Sequence, residues 1–482
     1  MAAHAPRIER RSIDAIPAAE RQGTPANQFT LWLGANLQIT AVVDGALAVV
    51  FGAHALWAIV GLLLGNVLGG AVMALHSAQG PRLGLPQMIS SRAQFGVFGA
   101  VVPLVLVIVM YLGFTATGTV LSGQAINAFL GVDAPAVGIC LFIALVAVIA
   151  IVGHDLIHSV GRVASVLGII GFGYLAVRLF TQHDVGAAFA HPTFDFATFL
   201  LAVSLGAGWQ LTYGPYVADY SRYLPADTPP RHTFWGTFAG SVLGSQVSMT
   251  FGAVVAAVAG DAFLSGQVAW LGDLAGPAAV AALIYLLIVV GKLTVTCLNA
   301  YGSFMCAATS VTAFTGQRRM GQGARAAFIV VMLLASMAIA LWASADFLSN
   351  FKNFVLLLLM VFTPWSAINL TDYYLVSKEK VDLPALYDPE GRYGRWNAAA
   401  LVTYAVGIVV QVPFLAQTLY TGPVTKALGG ADISWLVGLA VPALVYYVWA
   451  GRQHRAPEQM IGFPEVAALD GADGTAEPAG SR

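Results

Sequence analysis

Lys292 is the one charged residue between Ala275 and Arg318, in a stretch otherwise apolar enough to cross a membrane. A charged group inside such a helix is costly and marks an ion or solute pathway by default. Its ammonium is suited to stand where a metal cation would sit, or to pass a proton. Snorkelling to a water-filled vestibule is the plainer alternative. Asp44, in the first apolar segment, is the nearest candidate counter-charge.

Two further places concentrate polar groups inside apolar runs. One reads Leu33-Gly34-Ala35-Asn36-Leu37-Gln38-Ile39-Thr40, and the other Ser204-Leu205-Gly206-Ala207-Gly208-Trp209-Gln210-Leu211-Thr212-Tyr213-Gly214-Pro215. In lipid, a helix can open its backbone only where protein or a watery cavity satisfies it. Such breaks therefore point to a solute site, unless the small residues merely let helices pack closely. Paired breaks at matching positions are the pattern of an inverted-repeat transporter with its site at the midplane.

Other chemistry is poorly supported. Gly291-Lys292 resembles the end of a phosphate-binding loop, but Leu286 and Leu293 replace the required Gly and Ser/Thr, which removes ATP-driven transport. His154 and His158 have i,i+4 spacing with no third ligand in reach and read as solvated. Cys140, Cys297 and Cys306 form neither a disulfide framework nor a metal-ligand pattern. No His/Glu or Ser–His constellation lies at mid-span, which argues against an intramembrane enzyme. A channel would favour rings from symmetric subunits over a broken repeat.

The elements that must position these residues are membrane helices. Apolar residues make up 58% of the 482 and charged residues 10%, against about 25% charged in soluble domains; the mean hydropathy is +0.76. A net charge of −1 offers no field for nucleic acid. Apolar runs punctuated by Gly, Pro and charge predict twelve spans, near 28–52, 55–77, 97–130, 134–153, 157–181, 197–220, 233–259, 277–313, 326–345, 353–376, 396–418 and 431–451. The sixth span starts five after the first, which sets two halves, 28–181 and 197–376, followed by two further helices over 396–451. Residues 1–27 form a polar N-tail without the apolar core of a cleaved signal, and 452–482 read as a disordered C-tail.

Charge fixes the orientation. With both ends cytoplasmic, 19 of the 23 Lys and Arg fall in the tails and the cytoplasmic loops, and each such segment holds at least one; Arg178, Lys352 and Lys426 alone face outward. That asymmetry is the positive-inside signature of a multi-pass protein of the cell membrane.

The run Gly80-Pro81-Arg82-Leu83-Gly84-Leu85-Pro86-Gln87-Met88 with Ser91-Arg92-Ala93-Gln94-Phe95-Gly96, and the run Tyr213-Gly214-Pro215-Tyr216-Val217-Ala218-Asp219-Tyr220-Ser221-Arg222-Tyr223-Leu224-Pro225, resemble loops of the bacterial purine–cytosine permeases. These belong to the nucleobase–cation symporter family, which includes cytosine permeases and the sodium–hydantoin transporter. The resemblance runs from about Phe29 to Trp449. It implies an all-α fold of the LeuT-like five-plus-five inverted-repeat type with two C-terminal helices. It also implies uptake of a nucleobase, or another nitrogen heterocycle such as hydantoin, allantoin or a thiamine-like compound, by alternating access and without an organic cofactor.

A nucleobase is a flat ring edged with donors and acceptors, so its site needs an aromatic face and amides. Trp209 and Gln210 in span six and Asn36 and Gln38 in span one meet that need. The resemblance adds Phe114 in span three, near Tyr111 and in place of the Trp of some relatives, and Asn299 within Cys297-Leu298-Asn299-Ala300-Tyr301-Gly302-Ser303 of span eight. In sodium-coupled relatives the ion lies between carbonyls of the first break and hydroxyls on span eight, which here implies Thr294 and Thr296. Lys292 and Asp44 complete the candidate ion-coupling set, and H+ and Na+ both remain expectations. Asp219 and Asp372, at cytoplasmic span ends, are expected to cap or gate there.

Overall fold

Long charge-free runs can satisfy their backbones in lipid only as helices, and helices are what the chain forms. The computed structural model describes residues 14–463 apart from 153, 317–320, 419 and 454. Among these, six helical stretches are long and apolar enough to cross a membrane, and Pro25–Asn36 with Ile39–Val50, bent by 61°, makes a seventh. One of the six, Gly323–Val376, has 54 residues. At 1.5 Å per residue that is about 80 Å, more than two bilayer cores. It divides at Ser344–Asp346 into Gln322–Ala343 and Phe347–Leu370, two spans. Four shorter apolar helices, beginning at Pro135, Val166, Ala398 and Ser434, complete a set consistent with the twelve predicted spans.

Most boundaries agree with the sequence reading; the second span runs Ala55–Ser77 and the eighth Ala278–Thr315. Three differences have physical causes. The sixth span is unbroken through Gly206 and Gly208 and unwinds only after Leu211, into short turns at Gly214–Tyr216 and Ala218–Ser221. The external connection expected between spans seven and eight is itself folded: Gln267–Ala275 is a helix whose Val268 and Leu271 are buried. The C-tail also stays ordered past the last span, because Ile461 exchanges backbone hydrogen bonds with Val381 and Leu383. The first and last tail residues, Arg318 and Arg319, and the side chains of His154, His158 and Arg162 lie outside the described residues.

Close packing repeats between the halves. Span one lies on span seven, where a Cβ on Gly252 would overlap the Val42 carbonyl; span six lies on span two, where a Cβ on Gly65 would overlap the Val203 carbonyl. Exchanging the halves turns one contact into the other. Spans three and eight run antiparallel: Gly302 faces the Tyr111 ring, while Gly118 faces Lys292 and Thr296. That register sets Asn299 level with Phe114.

Candidate functional site

The first span breaks where its Gly and amides cluster. Leu37 and Gln38 leave the helix, and a Cβ on Gly34 would meet nothing within 4 Å, so the break opens onto space. Asn36, fully buried, ties this break together. Its Oδ1 accepts from the Trp209 indole (2.6 Å), Ser245 Oγ (2.8 Å) and the Tyr213 hydroxyl (3.0 Å), while its Nδ2 donates to the Trp32 carbonyl and Ser241 Oγ. Gln210 is equally enclosed: Nε2 donates to Asn66 Oδ1 and Ser245 Oγ, and Oε1 accepts from Ser241 Oγ at 2.6 Å. Both amides, candidates for ligand contact, are thus used within the protein and join spans one, two, six and seven.

The rings do converge. Phe114 meets Trp209 edge-to-face at 6.0 Å and Phe354 of span ten at 5.2 Å; Trp209 continues through Tyr213 and Tyr216 to Tyr111. Phe354 and Tyr213 were not singled out in the sequence, where nothing in their spacing separates them from packing aromatics. Asn299 sits beside this cluster by register. It is 9% exposed and its side chain makes no hydrogen bond among the described residues, so its amide keeps its donors and acceptor for something else.

Lys292 reaches the break. Its Nζ donates to Gln38 Oε1 at 2.6 Å, and Gln38 Nε2 donates to the Ala35 carbonyl at 3.0 Å. It is 4% exposed, which excludes the snorkelling alternative in this conformation. Asp44 is buried with neither carboxylate oxygen hydrogen-bonded, so it does not pair with Lys292. Thr296 lies beside Lys292 next to Gly118, whereas the Thr294 hydroxyl donates back to its own helix at Val290.

The span ends around the loop after span two are knitted by carboxylates. Asp219 accepts from the Gln87 backbone, and Asp372 accepts from Gln94 Nε2 (2.9 Å), the Tyr446 hydroxyl (3.0 Å) and Ser377 Oγ. Through Gln94 and Asn369 this cluster continues to Gln79, joining the loop after span two to spans ten and twelve. Arg21, just before the first span, donates to the Pro81 and Ile16 carbonyls, and burial lowers its pKa. No group of three or more metal-ligating side chains occurs among the described residues.

Comparison with known proteins gives one consistent result. Residues 15–438 match the family described as permease for cytosine/purines, uracil, thiamine, allantoin. The putative purine-cytosine permease YxlA of Bacillus subtilis is 38% identical, over 92% of this chain and 96% of its own. A purine-cytosine permease of Emericella nidulans is 25% identical over 91% and 87%. Among solved structures, the inward-facing conformation of Mhp1 aligns with a TM-score of 0.75 at 19% identity, covering 94% of this chain and 97% of that one. Mhp1 in a closed conformation with bromovinylhydantoin bound aligns at 0.71 and 18%, covering 94% and 98%.

Proposed function

We propose, starting from the fact that the chain belongs to the cytosine/purine permease family, that it imports a nucleobase such as cytosine or a purine, coupled to a cation, by alternating access. It is a membrane transporter and not an enzyme. The halves 28–181 and 197–376 rock around the first break, the last two spans brace them, and both termini face the cytoplasm of a cell whose membrane the chain spans many times. The ligand's ring lies against Trp209 and Phe114, and its polar edge meets Asn299. Asn36 and Gln210 hold the wall rather than the ligand, and Gln38 and Lys292 mark the ion side of the site.

One observation carries this reading: the Asn299 amide, without a side-chain partner among the described residues, at the level of converging aromatic rings. A buried amide with no protein partner costs about 1–3 kcal/mol unless a ligand or water meets it. A flat heterocycle edged with donors and acceptors supplies both the stacking surface and the hydrogen bonds. Equilibrium binding of labelled cytosine, adenine, hypoxanthine and hydantoin to purified protein tests it. Trp209→Ala and Asn299→Ala should each weaken the preferred ligand roughly tenfold or more, the equivalent of one stranded polar group or lost stack. Near-native affinity in either variant would move the site elsewhere.

A further inference from the structure

We propose that the Lys292 ammonium is itself the resident cation of the ion site, so that a proton carried on this amine, and not sodium, couples uptake. This rests on the reading of the chain as a symporter.

The last carbonyls of a half-helix carry partial negative charge, and in transporters with discontinuous spans these ends hold the coupling cation. Here the half-helix Pro25–Asn36 presents such an end, and Gln38 folds back so that its Nε2 covers the Ala35 carbonyl at 3.0 Å. The other end of that amide, Oε1, receives the Lys292 ammonium at 2.6 Å. Gln38 thereby relays the negative end of the half-helix to a positive charge tethered to span eight.

Gly118 on span three lies against the lysine stem: a Cβ there would sit in ordinary van der Waals contact, 3.6 Å from both Cδ and Cε of Lys292. Among the described residues Gln38 is the only hydrogen-bond partner of the ammonium. Among the described residues, the titratable groups on the surrounding elements are Asp44 of span one, Tyr111 of span three, Cys140 of span four, Tyr174 and Arg178 of span five, Asp273 of the helix Gln267–Ala275 and Arg325 of span nine. None of them is hydrogen-bonded or ion-paired to it. No carboxylate among the described residues pairs with the charge, and a second cation brought within a few ångströms meets repulsion that the protein interior screens weakly. A proton is different, because the amine can release it to water when the break opens inward and take up another when it opens outward. The N–H bond breaks to leave a neutral amine and returns the ammonium on re-protonation, so each cycle moves one proton.

The first arm of the test needs no substrate. Thermal unfolding of the purified protein is compared in sodium and choline chloride at equal ionic strength; equal midpoints are expected, and sodium-specific stabilisation would overturn the proposal. In the second arm, proteoliposomes receive labelled nucleobase with an inwardly directed proton gradient, with and without sodium. Accumulation should follow the proton gradient and ignore sodium, and Lys292→Gln should lose gradient-driven accumulation while still exchanging nucleobase by counterflow. Several-fold sodium stimulation of the wild type, or proton-driven accumulation by Lys292→Gln, would overturn it. If no nucleobase is carried, the proposed solute fails while the sodium-binding result stands.

Discussion

Replacing Asn36 by alanine should destabilise the protein, whereas the same change at Asn299 should not. Asn36→Ala removes one acceptor shared by Trp209, Tyr213 and Ser245 and a donor to Trp32 and Ser241. The two hydroxyls can rotate toward other acceptors, but the indole N–H of Trp209, 2% exposed, cannot. A stranded buried donor costs about 1–3 kcal/mol. The remaining four bonds contribute about 0.6 kcal/mol each if they match the average measured between membrane helices. Their total, reduced by hydroxyl repair, gives a loss of about 2–5 kcal/mol. Asn299→Ala strands no partner among the described residues. Denaturant unfolding of the two purified variants beside wild type measures the contrast, with ligand binding as the second readout. Equal stability of Asn36→Ala and wild type would refute the assignment of Asn36 as a structural tie, and equal destabilisation of Asn299→Ala would refute its free amide.

Three further outcomes follow from the packing and topology. Gly252→Ala forces a methyl onto the Val42 carbonyl and should cost about 1–3 kcal/mol through overpacking between spans one and seven, read as a lower unfolding midpoint. A cysteine placed at Ser265 should react with an impermeant thiol reagent applied to intact cells, and one at Gln322 should not; the opposite pattern would invert the orientation. Asp372→Ala should lower stability more than Asp372→Asn, because asparagine keeps an acceptor for Gln94 or Tyr446; identical unfolding curves for the two would contradict the role of that cluster.

The first break was legible because Gly34, Asn36 and Gln38 stand in an otherwise apolar run. The sixth was misplaced by a turn for a reason sequence cannot supply: Gly206 serves close packing, with the Leu62 carbonyl 2.7 Å from where its Cβ would be, so the helix continues past it. Asn36 and Gln210 stood out as amides, but their partners Asn66, Ser241 and Ser245 lie on two other spans, 31 to 209 residues away. Lys292 was conspicuous by charge alone, yet its partner Gln38 is 254 residues distant. Type and spacing identify which polar groups are unusual in a membrane. Only the tertiary fold decides which are consumed by the protein and which, like Asn299, remain unpaired.

Uptake of labelled cytosine, adenine and hypoxanthine by purified protein in proteoliposomes measures directly whether this chain carries a nucleobase. Saturable uptake of at least one of them is expected, its affinity weakened roughly tenfold or more by Asn299→Ala in protein that folds and inserts normally. Uptake no greater than in empty liposomes for all three, with hydantoin, allantoin or thiamine carried instead, would contradict it.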